Sequence, residues 1–259
     1  MDDQRYLSEI LKYIDGKTEW QTDIVIREAT LSLILNGIKI TELACLDEKH
    51  LELGVGFLYS EGLLNNSNQI KDIFLCDQRV RLEIKADIEE SSIIEYLGSI
   101  EKTTGCGGGI SGRITSPGKT SFRKRPLSLS LIPELMIEFQ KLSSLFYQTG
   151  GVHSAGLVSD NQIIEFAEDI GRHNAVDKVI GSAIINHKLV TNLTLLTSGR
   201  ISSEIVQKGI RSSIPMIISQ AAPTSRAINL AWYHGIYLIG FARGKRFNIY
   251  TGLNEIQQD

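Results

Sequence analysis

The second half of the chain alternates short apolar segments with amphipathic ones, and this pattern restricts the fold more than any other feature. Runs of four to seven residues rich in Ile, Leu and Val predict strands, whereas the segments between them carry apolar residues at helical spacing. Such alternation favours a largely parallel sheet with helices on its faces. The predicted elements are a hairpin of strands 152–158 and 163–167, a helix with Val176, Val179, Ile180, Ala183 and Ile184 on one face, strand 193–197, helix 203–211, strand 215–219, helix 224–233 and strand 236–242.

The first half predicts a smaller α+β unit. Residues 1–14 carry apolar side chains at helical spacing, which favours a short amphipathic helix. Asn36-Gly37 stands between two runs of β-forming residues and predicts a hairpin. The remaining predicted elements are a helix capped by Asp47 and ending near Glu61-Gly62, strands 70–76 and 80–86, and a helix over residues 89–101.

A segment without hydrophobic periodicity separates the two halves. Residues 105–126 are rich in glycine, serine, proline and basic side chains, a composition typical of a loop. We therefore expect an α+β domain over residues 1–104, a mobile glycine-rich and basic loop over 105–126, and an α/β domain over 127–259.

Composition excludes several classes of protein. Hydrophobic residues make up 42% of the 259 residues and charged residues 22%, which is typical of a folded globular protein. The formal net charge of −3 gives no reason to expect nucleic-acid binding. No stretch of about 18 uninterrupted apolar residues is present, so we expect no membrane span. The N-terminal segment lacks the apolar region of a secretory signal, and we expect a cytoplasmic protein.

The three cysteines are few and widely spaced along the chain. Cys45, Cys76 and Cys106 suggest a reducing compartment without a disulfide framework. No two of them stand at the spacing of zinc ligands, so we expect no metal site. Cys45 and Cys76 lie at the ends of predicted strands and are interpreted as packing residues.

Cys106 differs from the other two because glycines surround it. Gly105 and residues 107–109 leave the sulfur unshielded and allow the backbone unusual dihedral angles. This context favours a mobile loop that presents a reactive thiol, although a glycine-rich linker that happens to contain a cysteine fits the same pattern. The downstream basic residues, of the kind that lower the pKa of a thiol, are Arg113, Lys119, Arg123, Lys124 and Arg125.

Polar residues cluster where the predicted strands end. Ligands of open α/β sheets bind beyond the carboxyl ends of the strands, and arginine side chains with helix N-termini favour phosphate there. The pattern predicts an anion site, whereas solvated basic turns balanced by Glu168 and Asp169 are the structural alternative. The basic residues of this predicted anion site are Arg172, Arg200, Arg243, Lys245 and Arg246.

Two histidines have either a functional or a structural role. His173 and Asp177 are four residues apart, so Asp177 could orient the imidazole of His173. His153 follows a glycine pair, and a structural role is open for each histidine.

Several segments together carry a family resemblance in colinear order over nearly the whole chain. They are Gly56-Phe57-Leu58-Tyr59-Ser60-Glu61-Gly62, Thr104-Gly105-Cys106-Gly107, residues 149–153, residues 168–178, Ser198-Gly199-Arg200, Val206-Gln207-Lys208, residues 222–225 and residues 240–251. With these segments the chain closely resembles the FdhD/NarQ family of formate dehydrogenase accessory sulfurtransferases.

This resemblance implies a function, a fold and partners. It implies a cytoplasmic carrier that accepts sulfur from a cysteine desulfurase as a persulfide. The sulfur would pass to the molybdenum cofactor in its bis(molybdopterin guanine dinucleotide) form, destined for the catalytic subunit of formate dehydrogenase. A guanine nucleotide is expected to substitute for that cofactor in binding. The resemblance also implies a homodimer and a cytidine deaminase-like α/β/α second domain with a mixed sheet.

The resemblance assigns roles to two groups of residues. Cys106 matches the cysteine that bears the persulfide. The residues that match the cofactor-binding loop are Ala242, Arg243, Gly244, Lys245, Arg246 and Phe247. The resemblance assigns no metal ligand.

Two departures from related patterns keep alternatives open. Many family members read Cys-Gly-x-Cys-Gly, but the second cysteine position here is Gly109. This change leaves a one-thiol carrier intact and also permits a cofactor-binding chaperone without sulfur transfer. A nucleotide-acting enzyme is the third alternative, but His153-Ser154-Ala155 lacks the glutamate of zinc deaminases and no cysteine pair follows.

Overall fold

The computed structural model describes residues 4–76, 80–102, 110–112, 127–187 and 193–252. Its N-terminal half contains two sheets, a short two-stranded pair and two helices. The elements are β1 (Arg5–Ile14), β2 (Lys17–Ile26), β3 (Glu28–Leu35), β4 (Ile38–Leu46), α1 (His50–Ser60), β5 (Ile70–Cys76), β6 (Arg81–Ala86), α2 (Glu90–Gly98), β7 (Ile100–Lys102) and β8 (Ile110–Gly112).

The helix predicted for residues 1–14 is wrong, because this segment forms strand β1. β1 pairs antiparallel with β2 along its whole length, and the two strands make a separate ribbon. Its apolar residues fit helical spacing and lie on both faces of the strand, so pairing with β2 rather than the local pattern determines the structure.

The hairpin predicted at Asn36-Gly37 is confirmed. Both residues have positive φ angles, 49° and 81°, as the tight turn between β3 and β4 requires. These strands belong to a four-stranded sheet in the order β4-β3-β6-β5. Asp47 does not cap α1; the N-cap position is Lys49, which has a left-handed backbone conformation.

The C-terminal half is built around one larger sheet. Its elements are α3 (Ile132–Leu142), α4 (Ser144–Thr149), β9 (His153–Ser159), β10 (Gln162–Asp169), α5 (Arg172–Ile185), β11 (Thr194–Thr197), α6 (Ser203–Arg211), β12 (Met216–Ser219), α7 (Ser225–His234), β13 (Tyr237–Arg243) and β14 (Arg246–Ile249). The strands and helices predicted here are confirmed, with small shifts at their ends, and β14 was not predicted.

The six strands lie in the order β10-β9-β11-β12-β13-β14. Only β11, β12 and β13 pair in parallel, so the sheet is mixed rather than largely parallel. The physical reason is the length of the connections. Tight turns join β9 to β10 and β13 to β14, and a tight turn can connect only antiparallel neighbours.

Helices cover both faces of this sheet, and one hydrophobic core joins the two halves of the chain. Buried side chains of α5, α6 and α7 on one face are continuous with those of β3, β6 and α1, while α3 packs on the other face. The closest contact between the halves is the crossing of α1 and α5, where Gly56 faces Gly181. The domain boundaries expected near residues 104 and 126 lie outside the described residues and stay predictions.

Two further expectations concern fold class and membrane insertion. The mixed α/β architecture is confirmed, whereas the cytidine deaminase-like description stays a prediction. Within the described ranges, no helix is both long and apolar enough to cross a membrane.

Candidate functional site

Four loops of the six-stranded sheet leave it at the same end, which we call the carboxyl edge. β10, β11, β12 and β13 finish there, at Asp169, Thr197, Ser219 and Arg243. The register supports this alignment, because Thr197 pairs with both Ser219 and Ala155, and Asp169 pairs with His153 at the start of β9. The strand order therefore brings together the loops that carry the predicted basic residues.

Three helices begin at the carboxyl edge, and two of them lack a side-chain cap. The N-cap residues Gly171 of α5 and Ser202 of α6 form no capping hydrogen bond through a side chain, whereas the Thr224 hydroxyl of α7 accepts one from Ala227 N at 3.2 Å. The first N–H groups of a helix have no partner within the helix and carry partial positive charge. The edge thus presents two uncapped helix N-termini, an arrangement that suits an anion.

Arg172 is held at this edge against the loop that follows β11. A Cβ at Gly199 would lie 2.8 Å from Arg172 Cβ, so the loop can approach the arginine only because position 199 is glycine. The Ser219 hydroxyl donates to Gly199 O at 2.6 Å and fixes this loop. Arg172 Nε is buried and has no hydrogen-bond acceptor among the described residues. A buried donor without an acceptor is costly, which points to a ligand atom as its partner.

His153 lies close to the same positive charges. Burial lowers the pKa of His153, and the charges of Arg172, His173 and Arg200 lower it further. The imidazole is therefore neutral at neutral pH, and its Nδ1 lies 3.4 Å from Ser198 Oγ. A neutral ring leaves the arginines as the fixed positive charges of the edge and offers an uncharged hydrogen-bonding group beside them.

The predicted pairing of His173 with Asp177 is wrong. His173 Nε2 lies 3.0 Å from Glu204 Oε2 at the start of α6, and this hydrogen bond lowers the pKa of Glu204. Asp177 lies on the part of α5 that faces α1, where Ser60 Oγ donates to its Oδ1 at 2.6 Å. His173 and Asp177 share a face of α5, but they do not pair with each other, because α6 and α1 supply their partners.

Asp177 belongs to a buried charge cluster that joins α1, α5 and α6. Lys208 Nζ lies 2.9 Å from Asp177 Oδ1 and 3.3 Å from Glu61 Oε1, and it donates to Ser60 Oγ at 2.7 Å. Burial alone would lower the pKa of Lys208, but the carboxylates of Asp177 and Glu61 raise it, so the lysine is charged. Spacing along the chain does not reveal this cluster, since its members come from distant segments.

A second buried pair fixes the N-terminal end of α5. Asp169 Oδ2 lies 2.7 Å from Lys178 Nζ, and Asp169 Oδ1 accepts hydrogen bonds from Gly171 N and Asn174 Nδ2. Glu168 accepts from the backbone N–H groups of α4. Glu168 and Asp169 are both buried, so they do not act as the solvated counter-ions of the basic turns.

The predicted cofactor loop, residues 242–247, lies at the other side of the carboxyl edge. Arg243 Nε donates to Gln220 O at 2.8 Å, which ties the end of β13 to the loop after β12. The turn to β14 passes through Gly244, which has a φ angle of 57°. β13 is two strands from β11, or about 10 Å. Along the loop, Ala242 is buried, Phe247 is half-buried against the α3 side of the sheet, and Arg243, Gly244, Lys245 and Arg246 are exposed.

Of the three cysteines, two lie in the described residues. Cys45 is buried, and burial raises its pKa to about 12, so it is unreactive at neutral pH. Cys76 is exposed at the end of β5, which contradicts its interpretation as a packing residue. Cys106 lies outside the described residues, as do Gly109 and the basic residues from Arg113 to Arg125.

Comparison with known proteins gives a consistent result over most of the chain. Residues 26–257 match the sequence profile of the FdhD/NarQ family. A protein of Wolinella succinogenes named sulfur carrier protein FdhD is 37% identical over 251 residues, which cover 96% of this chain and 84% of the relative. A protein of the same name from Bacillus subtilis is 32% identical over 255 residues, or 96% and 97% of the two chains.

A solved structure has the same fold. The crystal structure of a protein from Desulfotalea psychrophila, described as a formate dehydrogenase accessory protein, superposes with a TM-score of 0.79. The two sequences are 26% identical, and the alignment covers 98% of this chain and all of the other.

Proposed function

Because the chain belongs to the FdhD/NarQ family, we propose that it carries sulfur for the maturation of formate dehydrogenase. The names of the relatives support the sulfur-carrying role, and the description of the structural relative supports the link to formate dehydrogenase. In this proposal the donor is a cysteine desulfurase. The acceptor is the molybdenum cofactor in its bis(molybdopterin guanine dinucleotide) form, which the chain binds as cargo.

The observation that carries the binding half of the proposal is the carboxyl edge. It combines two uncapped helix N-termini, the exposed Arg200 and an Arg172 whose buried Nε has no acceptor in the described part of the chain. A diphosphate group provides several charged oxygens and matches this donor set. The loop at residues 242–247 follows β13, which lies two strand spacings, or about 10 Å, from β11 and the Arg200 loop behind it, and a dinucleotide can span this separation.

The proposed sulfur step uses the Cys106 thiolate as nucleophile. The thiolate attacks the outer sulfur of the donor's persulfide, a new S–S bond forms at Cys106, and the donor's own S–S bond breaks. The donor cysteine leaves as a thiolate, and Cys106 now carries one additional sulfur atom. The rate of such an exchange depends on the thiolate fraction and on access to the sulfur.

The chain's own residues contribute positioning rather than acid–base catalysis in this mechanism. Arg172, Arg200 and the helix N-termini hold the phosphates of the cargo, so its reactive end has a fixed position. The second transfer then becomes effectively intramolecular, which raises its rate through effective concentration. Neutral His153 can donate or accept a hydrogen bond there without adding charge.

Intact-protein mass spectrometry tests the carrier role. After incubation with a cysteine desulfurase and L-cysteine, we expect the wild type to gain the mass of one sulfur atom. A reductant should remove this added mass. Cys106→Ala should gain none, and Cys76→Ser, which removes the exposed cysteine, should gain sulfur like the wild type. Absence of added sulfur on the wild type, or undiminished addition to Cys106→Ala, would refute the carrier role.

Titration with guanosine diphosphate tests the binding site separately. Replacing Arg172 or Arg200 by Ala removes a charge-assisted hydrogen bond of about 1.5–3 kcal/mol, so the Kd should rise at least about tenfold. Lys245→Ala with Arg246→Ala should also weaken binding, whereas Lys39→Ala, on an exposed hairpin outside the edge, should not. Equal affinity of all these variants would contradict the site.

A second candidate function has one observation in its favour, namely Gly109 at the second cysteine position of the family. The chain would then bind the cofactor as a chaperone without transferring sulfur. Under this alternative, Cys106→Ser supports an active formate dehydrogenase in cells that lack the wild-type chain, and Arg172→Ala with Arg200→Ala does not. Under the proposed function, neither variant supports an active formate dehydrogenase.

A further inference from the structure

A cavity of about 810 Å³ opens at the end of α6 that is opposite to the carboxyl edge. α6 starts after Ser202 at the carboxyl edge and ends at Arg211, which lines the cavity. Its nine residues place the two ends about 13 Å apart, so the cavity is separate from the proposed phosphate site. We call it the acidic cavity, and the lining residues used below are Glu61, Glu89, Glu95, Tyr96, Ser99 and Arg211.

Three helices end at the acidic cavity. The C-cap residues of α1 and α2, which are Glu61 and Ser99, line it together with Arg211, the last residue of α6. The C-terminal end of a helix carries partial negative charge and favours a cation. Arg211 Nη1 donates to Ser60 O at 2.8 Å and complements the end of α1, whereas the last turn of α2 contains no basic residue. The end of α2 would therefore be stabilised by a cation that a ligand supplies.

Carboxylates on the rim of the cavity add full negative charges to these partial ones. Glu89 and Glu95 are exposed there, and neither forms an ion pair with another described residue. Six residues of α2 separate them, or about 9 Å along the helix. Asp87, also on the rim, lies 3.3 Å from Lys71, but an exposed pair of this kind contributes little. The spacing of the two unpaired carboxylates suits a ligand with more than one positive charge.

Tyr96 in the cavity wall is a separate indication of a ligand. The residue is only 8% exposed, and its hydroxyl oxygen is buried without a hydrogen-bond partner in the described part of the chain. Burial raises the pKa of this hydroxyl, and the charge of Glu61 raises it further, so the group is neutral. Its oxygen can accept from the N–H of an entering lysine or arginine, which would remove the cost of the missing partner. Leu63 and Ile88 line the same cavity and suit the methylene stem of such a side chain.

We propose that the acidic cavity is the docking site for a basic segment of the protein that donates the sulfur. A lysine or arginine side chain of that segment enters the cavity toward Tyr96, and the rim carboxylates hold its basic neighbours. This inference rests on the proposed function, which supplies the donor. The anionic cargo is not a candidate for this site, because its phosphates would be repelled by the same carboxylates.

The covalent chain keeps the acidic cavity close to the sulfur-carrying residue. Ser99 lines the cavity and stands seven residues before Cys106. Seven residues span at most about 25 Å, whatever their conformation. A standard interface of about 800 Å² per partner is roughly 30 Å across, so one interface is wide enough to include both residues. A donor that docks on the cavity can therefore present its persulfide to Cys106.

The rate of sulfur loading from a cysteine desulfurase, followed by intact mass, tests the docking site with matched charge reversals. At low salt and subsaturating desulfurase, Glu89→Lys with Glu95→Lys should lower the rate by about tenfold or more, because these charges steer association. The difference from the wild type should shrink as salt is added. Glu134→Lys with Glu138→Lys makes the same change on exposed positions of α3, outside the cavity, and should load like the wild type. Both variants should bind guanosine diphosphate with similar affinity, which shows that they are folded.

Tyr96→Phe removes only the hydroxyl and separates docking from stability. Because the Tyr96 hydroxyl has no partner among the described residues, the variant should unfold at the same urea concentration as the wild type. The desulfurase concentration for half-maximal loading should rise about tenfold, as expected for a lost hydrogen bond to a charged group, while the maximal rate stays the same. A lower urea midpoint would show that the hydroxyl has a partner inside the protein and would overturn the proposal.

A peptide of three lysines is a probe that does not depend on the desulfurase. It should bind the wild type and slow sulfur loading by competition, and it should not bind Glu89→Lys with Glu95→Lys. Binding of spermidine but not of the peptide would assign the cavity to a free polyamine and overturn the docking site. Equal loading of the wild type and both cavity variants would overturn it too, with the proposed function intact. A wild type that gains no sulfur would instead contradict the proposed function, and with it the donor as partner.

Discussion

Replacing Gly56 by alanine tests the crossing of α1 and α5, on which the position of the carboxyl edge depends. A Cβ at Gly56 would lie 1.8 Å from the backbone oxygen of Asp177, and a Cβ at Gly181 would lie 1.9 Å from the backbone oxygen of Glu52. Both clashes involve backbone atoms of helices, so no side-chain rotation relieves them. The helices would have to separate by about 1.5 Å to restore normal contact.

The expected loss of stability follows from three contributions. Overpacking of a core costs about 1–3 kcal/mol. Separation of the helices also breaks the buried hydrogen bond from Ser60 to Asp177, which is 2.6 Å long, and a hydrogen bond to a charged group contributes about 1.5–3 kcal/mol. Alanine returns about 1 kcal/mol of helix propensity. We therefore expect Gly56→Ala to lower the free energy of unfolding by about 3 kcal/mol.

Urea unfolding of the wild type, Gly56→Ala and Gly98→Ala tests the expected loss of stability. Gly98→Ala is the matched control, because a Cβ at Gly98 in α2 would meet no atom within 4 Å. This control should gain up to about 1 kcal/mol from helix propensity. If Gly56→Ala unfolds within about 0.5 kcal/mol of the wild type, the close crossing is refuted, since changes of that size are typical of surface substitutions.

Three further predictions concern buried and exposed polar groups. Lys208→Met should cost about 3–5 kcal/mol in urea unfolding, since it leaves the buried carboxylate of Asp177 without its cation while Glu61 keeps Arg211, whereas Lys245→Met on the exposed turn should be neutral. Burial lowers the pKa of His153, so the unfolded chain binds the extra proton as the pH falls below about 6.5. The free energy of unfolding of the wild type relative to His153→Gln should therefore fall on acidification through this range, and a pH-independent difference would contradict the buried, neutral imidazole. Mass mapping after brief alkylation should find Cys76 modified and Cys45 untouched until urea unfolds the protein.

The C-terminal strands and helices could be predicted because the pattern of apolar residues in each segment agrees with its burial in the folded protein. Strands 193–197 and 215–219 are short segments rich in apolar residues, and the structure buries them in the middle of the sheet. The N-terminal segment has no such agreement. Tyr6, Leu7 and Leu11 fit a helix by spacing, but the ribbon places Tyr6 and Leu7 on opposite faces, and only the pairing partner determines this outcome.

Side-chain partners were harder to predict than elements, because they depend on which helices meet. Spacing on α5 suggests that Asp177 serves His173, yet the arrival of α1 at Gly181 brings Ser60 to Asp177 instead. His173 then pairs with Glu204 of α6. The clustering of loops at the carboxyl edge could be predicted from the sequence, since loops of open α/β sheets meet beyond the carboxyl ends of the strands, but the burial of Arg172 Nε could not.

The buried ion pairs of α5 explain how this edge keeps its geometry while it lacks stabilising side-chain caps. Asp177 and Lys178, adjacent residues in the middle of α5, pair with Lys208 and Asp169, so the helix is fixed from inside the protein. A helix held in this way needs no capping side chain at Gly171, and its free N–H groups stay available to a ligand. A capping side chain there would compete with the ligand for the same donors. Gly171→Asp should therefore weaken guanosine diphosphate binding, since it adds negative charge at the site; stronger binding would refute this division between support and recognition.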